Sequence, residues 1–272
     1  MEKRFEMDRI YYFTGTGNCL MAARNIAKGM GGAELIRITG EMDAPKDAAD
    51  GKTVLVFPVY CGNAPVIVQK FAETVPIADG YVALVAVHGG HAVIANPQIA
   101  SALNKRGITN YKCFELETVH NGAFIAPVPE DDEVRAKLDE SYINAEKIGE
   151  EIAKAVAEPL PMADGIIAKV AENPMAKMVV FSFNPSEMYK DFFTNNECIK
   201  CGLCEKVCPM GNITLEDDGP VWHDKCQLCL ACLQFCPKQN IQYVHNHVAD
   251  HTSVGKKRFH NPDVKITELK MK

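Results

Sequence analysis

The strongest constraint on how this chain can fold is the placement of its cysteines. Of eleven, eight lie between Cys198 and Cys236, in two copies of the pattern C-x2-C-x2-C-x3-C-P set 28 residues apart. The first copy is Cys198, Cys201, Cys204, Cys208 and Pro209; the second is Cys226, Cys229, Cys232, Cys236 and Pro237. The likeness continues past the cysteines, because Asn212-Ile213 recurs as Asn240-Ile241, which makes the segment an internal duplication. From Met1 to Arg9 charged and apolar residues alternate, unlike a secretory signal, and apolar runs such as Tyr81–Val87 are far too short to span a membrane. The chain is therefore expected in the reducing cytoplasm, where clustered cysteines read as metal ligands rather than as a disulfide framework.

Three cysteines, each separated from the next by two residues, can wrap three corners of one cubane. The fourth lies beyond the local turn and must reach elsewhere. Over residues 195–245 the block resembles the bacterial two-cluster ferredoxins, in which the fourth cysteine ligates the other cluster. That resemblance implies one [4Fe–4S] cluster on Cys198, Cys201, Cys204 and Cys236, and a second on Cys226, Cys229, Cys232 and Cys208. Zinc is the competing reading, but four-cysteine zinc sites usually occur as two separated C-x2-C pairs. Between the motifs, Thr214–Asp224 reads as a hairpin turning at Asp217-Asp218-Gly219, with Trp222 a packing residue over a cluster.

The first 158 residues alternate short apolar runs with helical periodicity. Strands are expected at Arg9–Thr14, Glu34–Ile38, Thr53–Phe57, Tyr81–His88 and Tyr111–Leu116. Helices are expected after Leu20, ending at Gly29–Gly32, after Pro65, from about Asn96 to Arg106, and from Asp131 to about Val156. Such alternation predicts an α/β domain with a parallel sheet covered on both faces. The first strand runs into Thr14-Gly15-Thr16-Gly17-Asn18-Cys19, a glycine turn at a helix start, where free N–H groups and the helix dipole favour an anion. Leu20 stands where a dinucleotide fingerprint needs glycine or alanine, and no Gly-Lys follows as in a Walker loop.

Thr14, Thr16, Gly17 and Asn18 instead resemble the phosphate loop of the flavodoxin family, with Cys19 replacing the usual hydroxyl. The resemblance covers about residues 8–158. It implies a doubly wound five-stranded sheet of order 2-1-3-4-5 with FMN at the switch point between the first and third strands. The flavin ring would lie between Pro58-Val59-Tyr60-Cys61-Gly62-Asn63 and His88-Gly89-Gly90-His91, with Tyr60 available for stacking and the Cys61–Asn63 backbone near flavin N5.

The organisation expected is a flavodoxin-like domain over 1–158, a packed connector over 159–194, a small α+β ferredoxin-like domain over 195–247 and a basic tail over 248–272. In the connector, Phe181, Phe183, Tyr189, Phe192 and Phe193 are the expected contacts. His245, His247 and His251 read as a polar strand edge, and the tail as solvated and mobile. With 35 acidic against 29 basic residues, a net −6, the composition excludes a protein held mainly on nucleic-acid phosphates. The function implied is a low-potential electron carrier of an anaerobe, passing electrons between clusters and FMN and serving redox partner proteins, with a tether keeping the centres close. The other reading is an FMN-dependent reductase of a small substrate fed by the clusters, with His88, His91 or Tyr60 as proton donor.

Overall fold

A computed structural model describes residues 7–42, 47–48, 51–77, 80–124, 126–155, 184–195, 198–245 and 251–271. The N-terminal part builds β1 (Arg9–Tyr12), α1 (Asn18–Met30), β2 (Glu34–Arg37), β3 (Thr53–Pro58), α2 (Val66–Thr74), β4 (Val82–His88), α3 (Ala95–Asn104), β5 (Tyr111–Glu117) and α4 (Asp131–Lys154). The five strands are parallel, in the order β2-β1-β3-β4-β5. This is the flavodoxin-type doubly wound sheet, whose order reverses between β1 and β3 and so opens a crevice at their carboxyl ends. β3 and β4 are apolar almost throughout because helices cover both faces, whereas edge strand β5 alternates buried and exposed residues.

The helix that carries the glycine turn is fixed by close backbone approach. Gly29, expected to end α1, lies inside it. A side chain there would strike the Glu146 carbonyl of α4, and one at Gly149 would strike the Ile26 carbonyl. The helix ends at Gly31, in the left-handed region with φ 82°. Asp131, Asp132 and Glu133 occupy the first turn of α4, favourable for its dipole.

The cysteine-bearing part contains α5 (Pro185–Met188), β6 (Phe192–Thr194), α6 (Leu203–Val207), β7 (Ile213–Glu216), β8 (Gly219–Trp222), α7 (Ala231–Gln234) and β9 (Ile241–Tyr243). β7 and β8 form the hairpin expected from the turn signal, and β6 pairs antiparallel with β9. Residues 192–194, expected in the connector, thus belong to this unit; Phe192 stacks on Trp222 at 5.3 Å and Phe193 stays exposed. Phe181, Phe183 and His247 lie outside the described residues. His245 and His251 meet edge to edge in the chain, His245 N–H donating to the His251 carbonyl at 2.9 Å.

Two expectations are corrected. The segment after residue 250 is not a solvated tail. Phe259, Asn261, Val264 and Leu269 are buried, and the segment crosses from the cysteine unit onto the sheet domain as a strap. Nor are the two parts merely tethered: one hydrophobic core runs continuously from the sheet to β9 and Leu269. Among the described residues no helix is long and apolar enough to cross a membrane.

Candidate functional site

The cysteines fall into two groups. Cys198, Cys201, Cys204 and Cys236 wall one small cavity, lined also by apolar side chains that include Leu203, Leu215 and Ile241. The first three cysteines of one copy thus meet the fourth of the other. Cys208 in turn is the electrostatic neighbour of Cys226, Cys229 and Cys232. Among the described residues no three potential ligands converge on a single-ion site; a cubane holds its thiolates further apart than one ion does. The first group is the more open, with Cys201 exposed, whereas Cys208, Cys229 and Cys232 are buried. Burial pushes the Cys204 thiol up to about 11 and that of Cys226 up to about 12. Such thiols ionise readily only when a metal takes the place of the proton.

The duplication is visible in the backbone as well. Lys200 and Leu228, Gly202 and Leu230, and Gly211 and Gln239 are all left-handed, each pair 28 residues apart. Four of the six are not glycine, and each such residue costs on the order of 1–3 kcal/mol, strain that persists where the chain must curl around something. Backbone N–H groups turned inward this way make anion-binding concavities; Asn212 N–H reaches Cys208 Sγ and Leu228 N–H reaches Cys226 Sγ, each at 3.3 Å. The repeated asparagines clamp the copies together. Asn212 Oδ1 accepts from Lys225 N–H, beside Cys226 (2.7 Å), and Asn240 Oδ1 accepts from Asn195 N–H, ahead of Cys198 (2.9 Å).

A second cavity opens at the switch point. Thr14, Gly15, Thr16, Asn18, Cys19, Pro58, Val59, Tyr60, His88 and Gly89 line it, together with Thr118, Val119, His120 and Asn121 after β5. Gly17 N–H donates to Thr14 Oγ1 at 3.1 Å, which curls the turn. The first helical bond of α1 is Met21 N–H to the Gly17 carbonyl, so Asn18, Cys19 and Leu20 N–H have no acceptor within the helix. Thr118 Oγ1 is buried on the wall with no hydrogen-bond partner. His88 is buried and its pKa lowered by desolvation, with Glu115 pulling it upward. These free donors suit a phosphorylated polar ligand.

Cys61, Gly62, Asn63, Gly90 and His91, also expected at the site, do not line this cavity. Tyr60 and Asn63 close a two-residue turn by exchanging backbone bonds, both 2.9 Å, with Cys61 and Gly62 left-handed at its tip. The Asn63 amide holds that turn through the Cys61 carbonyl, and Gly90 and His91 are outside the cavity, His91 exposed. Gly17 faces away, toward Asn261 and Val264 of the strap. The loop after β5 was not expected; its polar run at a strand's carboxyl end was the available signal.

Residues 197–241 match the family model described as a 4Fe-4S dicluster domain. The chain is 33% identical over 58 residues to pyruvate synthase subunit PorD of Methanocaldococcus jannaschii, covering 21% of this chain and 67% of that protein. The chain carries a 4Fe-4S dicluster domain of the ferredoxin family. It is also 45% identical over 38 residues to a ferredoxin-like protein in the nif region of Trichormus variabilis, of which it spans about a third (32%), the match taking in 14% of this chain. Among solved structures it is similar to Megasphaera elsdenii flavodoxin (TM-score 0.37, 16% identity, 55% of this chain and all of that one). A flavodoxin from the domain Archaea gives TM-score 0.36 at 14% identity, over 54% of this chain and 97% of that one. The strand order, not these scores, establishes the fold.

The dicluster domain is docked on the switch point. A Cβ at Gly15 would lie 2.7–2.8 Å from the Cys229 carbonyl and Cβ, so the glycine turn and a buried cysteine are in direct contact. Tyr60 is buried beside them, its pKa driven up by burial and by the neighbouring thiols of Cys229, Cys19 and Cys226. Gln234 of α7 donates to the Asn121 carbonyl at 2.6 Å, and Asn121 donates to Thr16 Oγ1 at 2.9 Å, which links the dicluster domain to the cavity wall. The strap completes the enclosure, with Asn261 N–H donating to the Thr16 carbonyl at 2.8 Å.

Proposed function

We propose that the protein is a low-potential electron carrier that holds two [4Fe–4S] clusters and one FMN in a single rigid unit. When bound, the clusters supply one-electron chemistry and the flavin one- or two-electron chemistry. The contact of Gly15 with Cys229 carries this reading. It puts the flavin-side turn against a cysteine of the inner set, Cys208, Cys226, Cys229 and Cys232, with no intervening side chain. Tyr60 is buried beside this contact and lines the switch-point cavity.

The outer set, Cys198, Cys201, Cys204 and Cys236, faces solvent at Cys201 and is where a protein partner would exchange electrons. Thr14, Thr16 and the N–H groups at the start of α1 would bind the FMN phosphate, and Tyr60, His88 and Gly89 would flank the ring. The test is anaerobic purification with an absorption spectrum and counts of iron, sulfide and flavin. Eight iron and one FMN per chain are expected; stoichiometric zinc, or flavin absent from iron-replete protein, would overturn the reading.

A further inference from the structure

Two half-buried arginines are electrostatic neighbours of the cysteine sets and, among the described residues, have no anionic partner. Arg37, the last residue of β2, donates from Nη1 to the Leu269 carbonyl at 2.9 Å, and its Nε and Nη2 are buried with no hydrogen-bond partner. Arg258, on the strap, donates from Nη2 to the Ile241 carbonyl (3.0 Å) and to Gln242 Oε1 (2.9 Å); its Nε and Nη1 are likewise buried and unpartnered. Among the described residues no carboxylate lies within ion-pair reach of either. The ionisable groups that do face them are Tyr12, Cys229 and Cys208 for Arg37, and Cys236 and Cys232 for Arg258.

A guanidinium does not shed its proton in a protein, so burial cannot be relieved by neutralisation. A buried charge with orphaned donors is costly unless an anion meets it. Thiolates carrying an anionic cluster would be such an anion: Arg258 and Cys236 line the same cleft, and Cys229 and Cys208 are the thiols whose charge acts on Arg37. We propose that Arg37 and Arg258 are the counter-charges of the two clusters, Arg37 acting on the inner set alone and Arg258 on both sets, through Cys232 and Cys236. This rests on the ligand sets given under the proposed function.

The arrangement is unequal, and the inequality has a direction. Reduction adds negative charge, which nearby positive charge and N–H donors favour. Burial works the other way, and the inner set is the more buried. With Arg37 as well as Arg258 beside it, the inner cluster stays reducible in the position next to the flavin turn. Both residues are positioning groups that tune a potential; neither touches a reacting atom of a substrate.

The test is a dithionite titration of the anaerobic holo-protein, followed by electron paramagnetic resonance. Cys201→Ser, which alters only the outer set, assigns the two signals. Arg37→Gln is expected to make the inner cluster about tenfold harder to reduce, a shift of about 59 mV for one electron, and to leave the outer cluster where it was. Arg258→Gln is expected to lower both midpoints, and Arg37→Lys to restore most of the inner one. An Arg37→Gln protein with both clusters present and either no shift or equal shifts overturns the inference. Should Arg37→Gln shed the inner cluster, its retention in Arg37→Lys supports the counter-charge and equal loss counts against it. Failure of the ligand sets themselves would look different: the unaltered protein would lack two cluster signals.

Discussion

Gly15 and Gly17 belong to one turn yet are constrained for different reasons. Gly17 has φ 102° and is backed by Asn261 and Val264, so both backbone and space require glycine there. Gly15 needs only space, and what takes it is Cys229. Gly15→Ala should therefore cost about 1–3 kcal/mol by overpacking, read as a lower thermal midpoint, and should slow flavin reduction by the clusters in stopped-flow absorbance. Lys200 offers the opposite test. It is exposed and left-handed with φ 54°, so Lys200→Gly should stabilise the dicluster domain by about 1 kcal/mol in denaturant titration. The glycine turn at Thr14–Cys19 and the duplicated cysteine pattern were legible from spacing because each is local in the chain. That Gly15 serves a contact with Cys229 was not, since the partner lies more than two hundred residues along the chain.

Among elements, the strap is the one whose character differs most from its composition. Six basic residues in 251–272 read as solvation, yet Phe259, Val264 and Leu269 are buried between them. Those apolar residues follow neither a helical nor a strand period, so no periodicity marks them. Leu269, fully buried, should cost about 2–5 kcal/mol on change to alanine, measured as loss of protection from hydrogen exchange across 251–271. The strap is also held by carboxylates: Asp263 pairs with Arg135 at 2.8 Å, and Glu268 with Arg24. Arg135 lowers the Asp263 pKa, and Arg24 lowers that of Glu268. A carboxylate whose folded pKa is depressed stabilises above its ordinary value, and loses that stabilisation as pH falls through the folded one. Proteolysis of the strap should therefore be slow at neutral pH and rise as acidity passes below about pH 4, in step with protonation of these two groups. A strap equally resistant at pH 3 would refute this.

On the scale of the molecule, the parallel sheet and the existence of a cysteine-rich unit could be read from periodicity and duplication, and the strand order from the resemblance to the flavodoxin family. Their joining could not. Several contacts across the interface use backbone groups: Gly15 on Cys229, Gly40 N–H donating to the Pro209 carbonyl at 2.9 Å, and Ile67 N–H donating to Gln227 Oε1 at 3.0 Å. Such contacts carry no compositional mark. Because one core spans both parts, the holo-protein should melt in a single calorimetric transition, and chelation of iron should lower that transition as a whole rather than remove one of two.

The strap also sets an order of events in biosynthesis. Asn261 and Val264, which back the turn at Gly17, follow every cysteine in the chain. A ribosome has therefore finished the five-stranded sheet, and then the duplicated cysteine block, before it makes the residues that close the turn from behind. Until then the turn in the nascent sheet domain would lack Asn261 and Val264 behind it, and a phosphorylated ligand captured at that stage would have only α1 and the threonines to hold it.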